Sequence, residues 1–334
     1  MKTIGIVIAV IVAVGISIGG YFWLSQEKPQ KYTGPVEKIT LAASGDEGAL
    51  VLIAEEQGYF TNNGLDVTIK EYEAGKLAAD ALLAGEADIC TSADFVLTSN
   101  SFDHEDLRVF GTVSIINSNE LVARKDHGIE TILDLKGKRI GVTRKSVGEF
   151  FLGTFLTFND LLLEDVELVD LKPSEIVEAI SSGNIDAGLT WQPNVYNIKK
   201  RLGQIAVSWP GQSGQDFFFI LISKEDWLRK HPSAAERFLR ALVQAEKYVK
   251  SNDAESRRFI EDHFQYESKY IEPIWPRYQF IVLLPQALLP VFEDQARWRL
   301  ENNLNIAKEV PNYLDYIYLQ ALEEVKPEAV GIIH

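Results

Sequence analysis

Cysteine is almost absent: Cys90 stands alone in 334 residues. No intramolecular disulfide can form, and cysteine pairing gives no hint of the compartment. Cys90 closes a short apolar run, Ala87-Asp88-Ile89-Cys90, where a small buried hydrophobe is expected rather than a nucleophile. Histidine is sparse too. His104, His127, His231, His263 and His334 are scattered at spacings that match no metal-ligand pattern. Positive charge is also in deficit, with 33 Lys and Arg against 48 Asp and Glu and a formal net charge of −15. The basic stripe that supplies most affinity for nucleic acid is therefore missing, as is any Lys/Arg-rich tract for anionic lipid. No glycine-rich Walker or dinucleotide pattern occurs, which argues against a nucleotide. No paired carboxylates, triad or metal cluster can be placed, so neither catalysis nor a cofactor is expected.

What is present is an ordinary globular composition, 46% hydrophobic and 24% charged. The length suits two lobes of about 100–200 residues each. Residues 4–24 carry no charge. As a helix rising about 1.5 Å per residue they would span about 30 Å, the thickness of a bilayer core. Lys2 precedes the stretch, and Tyr21, Phe22 and Trp23 lie at its far end, as an interfacial aromatic belt would. Two readings compete: a signal peptide cut near Ser17 and Gly19, or an uncleaved anchor. The length and the aromatics favour an anchor over residues 1–24, followed by a polar linker over 25–37 that carries Pro29 and Pro35. A lipid-modified cut site would need a cysteine, and none stands there. Either way the rest of the chain is expected outside the cytoplasm, tethered to the inner membrane or, if cleaved, soluble.

From residue 38 strand-like and helix-like patterns alternate. Residues 38–44 read as a strand, 48–57 as a helix ended by Gly58, and 65–72 as a half-buried strand. A helix over 77–83 and a strand over 87–90 complete a βαβαβ series. That series implies a mostly parallel sheet with helices on its faces. It restarts with strands at 138–142, 166–171 and 185–190 and helices at 147–159 and 174–181. Leu83-Ala84-Gly85-Glu86-Ala87-Asp88 matches Ser181-Ser182-Gly183-Asn184-Ile185-Asp186, an offset of 98. The C-terminal third reads as a strand at 216–223 and then helices at 234–249, 254–263, 286–301 and 313–324. Their apolar positions recur at helical spacing, as at Phe238, Leu239, Leu242 and Ala245. The expected division is 38–125 with 224–334 as lobe one and 126–223 as lobe two, the C-terminal helices packing on lobe one.

In open α/β sheets ligands sit beyond the C-terminal ends of parallel strands, and the offset of 98 places two such loops in each lobe. In lobe one the first is Ser44-Gly45-Asp46-Glu47-Gly48. Its glycines let backbone approach a ligand. Its acids either favour the helix N-terminus or hold a cationic group. The matching loop of lobe two holds Thr143, Arg144 and Ser146. Ser146 reads as an N-cap, with Glu149 completing a capping box, or as part of an oxyanion site with Arg144. The second loops carry Ser92, Ala93 and Asp94 in lobe one and Trp191 in lobe two. Ser92 is either a ligand contact or a helix cap. Trp191 offers a flat apolar face with an N–H, or core packing. Asp88 and Asp186 recur by the repeat and are expected to cap turns.

Several stretches resemble the periplasmic substrate-binding proteins of ABC importers for nitrate, sulfonate, taurine and thiamine-precursor pyrimidines. They are Ala54-Glu55-Glu56-Gln57-Gly58-Tyr59-Phe60, Gly64-Leu65-Asp66-Val67 and Ala81-Leu82-Leu83-Ala84-Gly85-Glu86-Ala87-Asp88. Further on come Leu133-Asp134-Leu135-Lys136-Gly137-Lys138-Arg139-Ile140-Gly141-Val142 and Gly183-Asn184-Ile185-Asp186-Ala187. Together they span about residues 38–225, and their order is more specific than any one of them. The resemblance implies an α/β, type II periplasmic-binding-protein fold: two hinged lobes with a ligand cleft. It implies a small-molecule ligand, a membrane permease as partner, and ligand loops at Ser44–Glu47, 92–94, 143–146 and Trp191. The acidic Asp46-Glu47 departs from what a simple anion binder needs. A membrane-tethered sensor is the alternative, and an enzyme of the thiamine-pyrimidine type a more distant one, since that relative's His and Cys clusters have no counterpart here.

Overall fold

The computed structural model describes residues 32–212, 214–304 and 309–333. The expected anchor or signal segment, residues 1–24, lies outside the described residues. Among those described, no helix is long and apolar enough to cross a membrane. Residues from Val36 onward form one compact unit.

Eleven strands are named in chain order among the described residues: β1 Glu37–Ser44, β2 Leu65–Tyr72, β3 Ile89–Ala93, β4 Leu107–Ile116, β5 Glu120–Arg124, β6 Arg139–Val142, β7 Glu167–Asp170, β8 Ala187–Thr190, β9 Ala206–Pro210, β10 Phe217–Lys224 and β11 Tyr278–Phe280. They make two sheets. The first has the order β11-β4-β10-β3-β1-β2 and the second β7-β6-β8-β5-β9. In each, the βαβ series supplies a parallel trio, β2-β1-β3 and β7-β6-β8. The edge strand β2 alternates covered and exposed residues from Leu65 to Lys70. In contrast β10, Phe-Phe-Phe-Ile-Leu-Ile-Ser-Lys, is buried at seven consecutive positions because it is an interior strand covered on both faces.

The repeat is visible in hydrogen bonds. Asp88 gives its backbone N–H to Thr40 O at 2.8 Å, and its carboxylate accepts from Thr40 N at 2.7 Å. Asp186 does the same with Arg139, at 2.9 Å and 2.7 Å. Each aspartate thus ties the strand that follows it to the middle strand of its trio. Both sit just before β3 and β8, at the ends away from the C-terminal loops.

Sheet membership moves the lobe boundaries. β5 lies inside the second sheet, between β8 and β9, and β10 lies inside the first, between β3 and β4. The chain therefore crosses between sheets at 117–119 and 211–216, not at 125/126 and 223/224. An unbroken apolar run such as β10 belongs in a sheet interior.

The C-terminal region packs mainly on the first sheet's layer. Pro232–Ser251 buries Phe238, Leu239, Leu242 and Ala245 on one face and contacts the helices Ala49–Glu56 and Gln320–Val325. Phe238 stacks on Phe60 with ring centroids 5.0 Å apart, a contact whose loss to alanine costs about 3–5 kcal/mol. One expected helix, 313–324, divides into a short turn, Tyr313–Tyr316, and a helix, Gln320–Val325. The segment between is held extended: Ile317 bridges to Val109, and Tyr318 N donates to Val109 O at 2.8 Å. The free edge of β4 captures backbone that helical periodicity alone would have coiled.

Candidate functional site

The C-terminal ends of β1, β3, β6 and β8 each lead into a helix, and the turns between face a cavity of about 370 Å³, its open mouth included. Ser44, Gly45, Glu47 and Ala93 line it from the first lobe, and Ser146 and Trp191 from the second. Five further residues of the same loops, Asp46, Ser92, Asp94, Thr143 and Arg144, stand behind or beside the lining. Residues that sequence reading did not single out complete it, among them Glu73, Lys76, Phe217 and Phe219. The two phenylalanines come from β10, whose place in the first sheet could not be read locally. Glu73 and Lys76 follow β2, a strand end with no counterpart among the motif stretches.

The first-lobe wall is acidic and poorly satisfied. Gly45 has φ 61°, and a Cβ there would meet the Glu47 carboxylate at 1.9 Å. Glycine is what lets that carboxylate fold back over its own loop. Asp46 is wholly buried and Glu47 is 4% exposed. Tyr278 and Tyr270 hydroxyls donate to Asp46 Oδ2 at 3.1 Å and 3.5 Å, while Asp46 Oδ1 has no partner. Burial raises both carboxyls above their ordinary range. The Tyr278 and Tyr270 bonds hold Asp46 down in part, and the Asp46 charge pushes Glu47 further up. The Ser44 hydroxyl, 3% exposed on the cavity wall, also has no partner. The Ser92 hydroxyl is buried and unpartnered behind the wall. A Cβ on Gly75 would come within 2.5 Å of it, so the helix Gly75–Leu83 approaches β3 closely there.

Asp94 has a different surrounding. Its Oδ1 accepts from Phe95 N at 2.6 Å and from Gln295 Nε2 at 2.9 Å, and its Oδ2 accepts from Phe218 N at 2.9 Å. Burial raises its carboxyl to about 6, and these bonds limit the rise. It joins three elements of the first lobe and faces none of the cavity.

In the second lobe the turn after β6 is bonded within itself, while the Thr190 hydroxyl at the end of β8 is buried without a partner. Ser146 caps the helix Val147–Phe158 by accepting from Gly148 N at 3.1 Å, and its hydroxyl donates to Thr143 O at 2.7 Å. The Thr143 hydroxyl donates to Leu171 O at 2.8 Å. Glu149 does not complete a capping box. It reaches one residue further back, to Lys145 N at 2.9 Å, where Lys145 takes a left-handed turn with φ 59°. Arg144 donates from Nε to Glu149, in the first turn of the helix, at 3.0 Å and lies half-exposed beside the lining residues.

A second groove adjoins the cavity and shares Gly45, Glu47, Glu73 and Trp191 with it. Tyr72, Phe264 and Tyr266 line its other side. The lobes touch around this mouth. Glu73 accepts from Ser174 N at 3.4 Å, Tyr196 donates to Glu267 at 3.2 Å, and the Tyr196 and Tyr270 rings lie 5.1 Å apart. On the far side Phe150 meets Trp298 edge-on with centroids 5.4 Å apart, and Glu149 faces Arg299 at 3.8 Å.

At the crossings Gln212, 1% exposed, holds the two segments together. Its Oε1 accepts from Ser118 N, Asn119 N and Asn119 Nδ2 at 2.6, 2.8 and 3.0 Å. Its Nε2 donates to Ile116 O and Gln215 O at 3.2 and 2.7 Å. A glutamine in a Gly-Gln-Ser-Gly stretch carries no sequence signal for such a role.

The chain is 26% identical over 215 residues to a protein of Brucella abortus (strain 2308) named as a binding protein, a match covering 62% of this chain and 65% of that one. It is 27% identical over 219 residues to the taurine-binding periplasmic protein of Escherichia coli (strain K12), covering 64% and 68%. Among solved structures, the alkanesulfonate-binding protein SsuA of Xanthomonas axonopodis pv. citri, bound to MOPS, superposes with a TM-score of 0.72 at 17% identity over 86% of this chain and all of that one. The desulfurization enzyme DSZB superposes with a TM-score of 0.62 at 15% identity, over 87% and 99%, so the fold also carries catalysis. These likenesses establish a periplasmic-binding-protein-like α/β fold. Residues 47–256, more than half of the chain, match the NMT1/THI5 like family, and the chain belongs to it.

Proposed function

We propose that this protein is the solute-binding component of an ABC importer, capturing a small polar molecule between its lobes outside the cytoplasm and catalysing nothing. The observation that carries this reading is the cavity itself, where strand-end loops from two separate sheets meet and leave the buried Ser44 hydroxyl without a partner. The names of the relatives support it. They make sulfonates, taurine and nitrate the first solutes to try, with pyrimidine precursors added from the sequence resemblance. The insertion of β10 antiparallel between β3 and β4 supports the type II form of the fold. Closure would bend the crossings at 117–119 and 211–216, with Gln212 keeping them in register, and ligand affinity would shift the open–closed balance. A membrane permease would receive the closed form, and residues 4–24 would tether the protein beside it. Cys90 supports binding over reaction. It is fully buried in β3, and burial pushes its thiol far up, so it is a poor nucleophile.

The test is a thermal-shift screen of the protein against small solutes. A solute at 100 times its Kd adds about 2.7 kcal/mol of stability. A stabilising solute whose effect is lost in Trp191→Ala supports the reading. A stabilising solute whose effect survives Trp191→Ala moves the site elsewhere, and product formation from a bound solute would replace the reading with an enzyme.

A further inference from the structure

The cleft's charge does not match the sulfonates of its relatives. Its lining carries Glu47 and Glu73, with Asp46 directly behind. Its one lining cation, Lys76, is ion-paired with Asp80. Arg144, the cation expected to hold an oxyanion, is bound to Glu149. On the other side the wall is aromatic: Trp191 shared by both cavities, then Tyr72, Phe264 and Tyr266 in the adjoining groove. Carboxylates beside ring faces attract a cation twice, by charge and by the ring quadrupole.

Resting on the solute-binding reading above, we propose that the ligand is a small organic cation, a protonated amine or amidine on a flat apolar body. Its charged group meets Glu47, the unpartnered Ser44 hydroxyl accepts one of its N–H hydrogens, and its body lies against Trp191. The Ser44 hydroxyl is the second, independent pointer to a ligand, because it is buried, unpartnered and on the cavity wall. An acid pair this deeply buried keeps a proton in the empty cleft, and an arriving cation favours its release. The groups facing the pair are Tyr270 and Tyr278 on Asp46, then Tyr266, Glu73 and Lys76 around the two cavities. The tyrosines stay protonated near neutral pH, so the pair itself is the source of the released proton.

The experiment compares matched rings of opposite charge on the full chain: benzamidine, benzylamine and phenyltrimethylammonium against benzenesulfonate and benzoate, by thermal shift and calorimetry. The expected result is stabilisation by the cations alone. Proton release on binding should show as a heat that depends on the buffer's ionisation enthalpy, and Glu47→Gln should weaken binding at least tenfold while melting normally. Stabilisation by benzenesulfonate or benzoate and not by the cations overturns the inference and leaves the solute-binding reading standing. No shift with any of the three cations also overturns it, and the wider solute screen then decides the solute-binding reading separately. Cation binding unchanged in Glu47→Gln overturns the assigned contact.

Discussion

The two walls of the cleft are built alike and finished differently. Each is a strand, a four-residue turn and a helix, related by the internal repeat. In the second lobe the turn after β6 is largely bonded within itself: Ser146 caps, Thr143 bonds Leu171, and Glu149 gathers Lys145 N and Arg144; the orphan there is the Thr190 hydroxyl at the end of β8. In the first lobe Asp46 Oδ1 and the Ser44 hydroxyl have no partner, and two carboxyls are buried together. A fold rarely leaves buried polar groups unsatisfied without use for them. On the proposed reading, the first lobe would hold the ligand's polar group and the second would close over it with Trp191.

This contrast can be broken most sharply at the two acids. Glu149→Ala should cost about 3 kcal/mol, because it strips a buried acceptor from Arg144 and Lys145 and the buried Arg299 of a charge partner. Denaturant unfolding checks it, and a loss below about 1 kcal/mol would make the lobe-two acid as dispensable as a surface one. Gln212→Ala should cost about 3 kcal/mol as well, by orphaning buried groups at both crossings.

Asp94 gives a pH signature. Its folded carboxyl, raised to about 6, holds a proton that the unfolded chain releases near 4. Its contribution is thus fully present below about pH 4 and lost as pH rises through 6. Stability should gain about 1 kcal/mol between pH 7 and pH 5 from this group, and Asp94→Asn should remove that increment. Below about pH 4 the trend reverses as acids held down by ion pairs, Glu246 and Glu267 among them, take up protons. Ser146→Ala should cost about 1 kcal/mol through loss of the cap and leave affinity nearly unchanged. Glu47→Gln has the opposite sign: it should leave stability equal or raise it by about 1 kcal/mol near pH 7, since a buried acid crowded by Asp46 is replaced by a neutral isostere.

Much of this architecture is legible in one dimension. The alternation of β2, the restart of the βαβ pattern and the twin aspartates Asp88 and Asp186 all mark real equivalences. The loops at the four strand ends were legible for the same reason, because a parallel trio fixes where its turns emerge. What escaped depends on distance along the chain. Tyr270 and Tyr278 reach Asp46 from more than 220 residues away, and β10 enters the first sheet between strands that precede it by about 100 residues. The Arg144–Glu149 pair is local, five residues apart, and matches no pattern that periodicity shows. Periodicity reports which face is buried. It does not report which buried acid has found a partner.

The most direct test of closure over a ligand held by the first lobe is a distance across the cleft mouth. Cys90 is buried, so spin labels on Asp262→Cys and Glu178→Cys, both exposed and on opposite lobes, can be placed selectively. Pulsed electron–electron resonance would follow them without solute and with the solute that stabilises the protein most. The account predicts a broad or longer distance that collapses to a single shorter one on binding, with the shift abolished by Glu47→Gln. One unchanged distance under both conditions would contradict it.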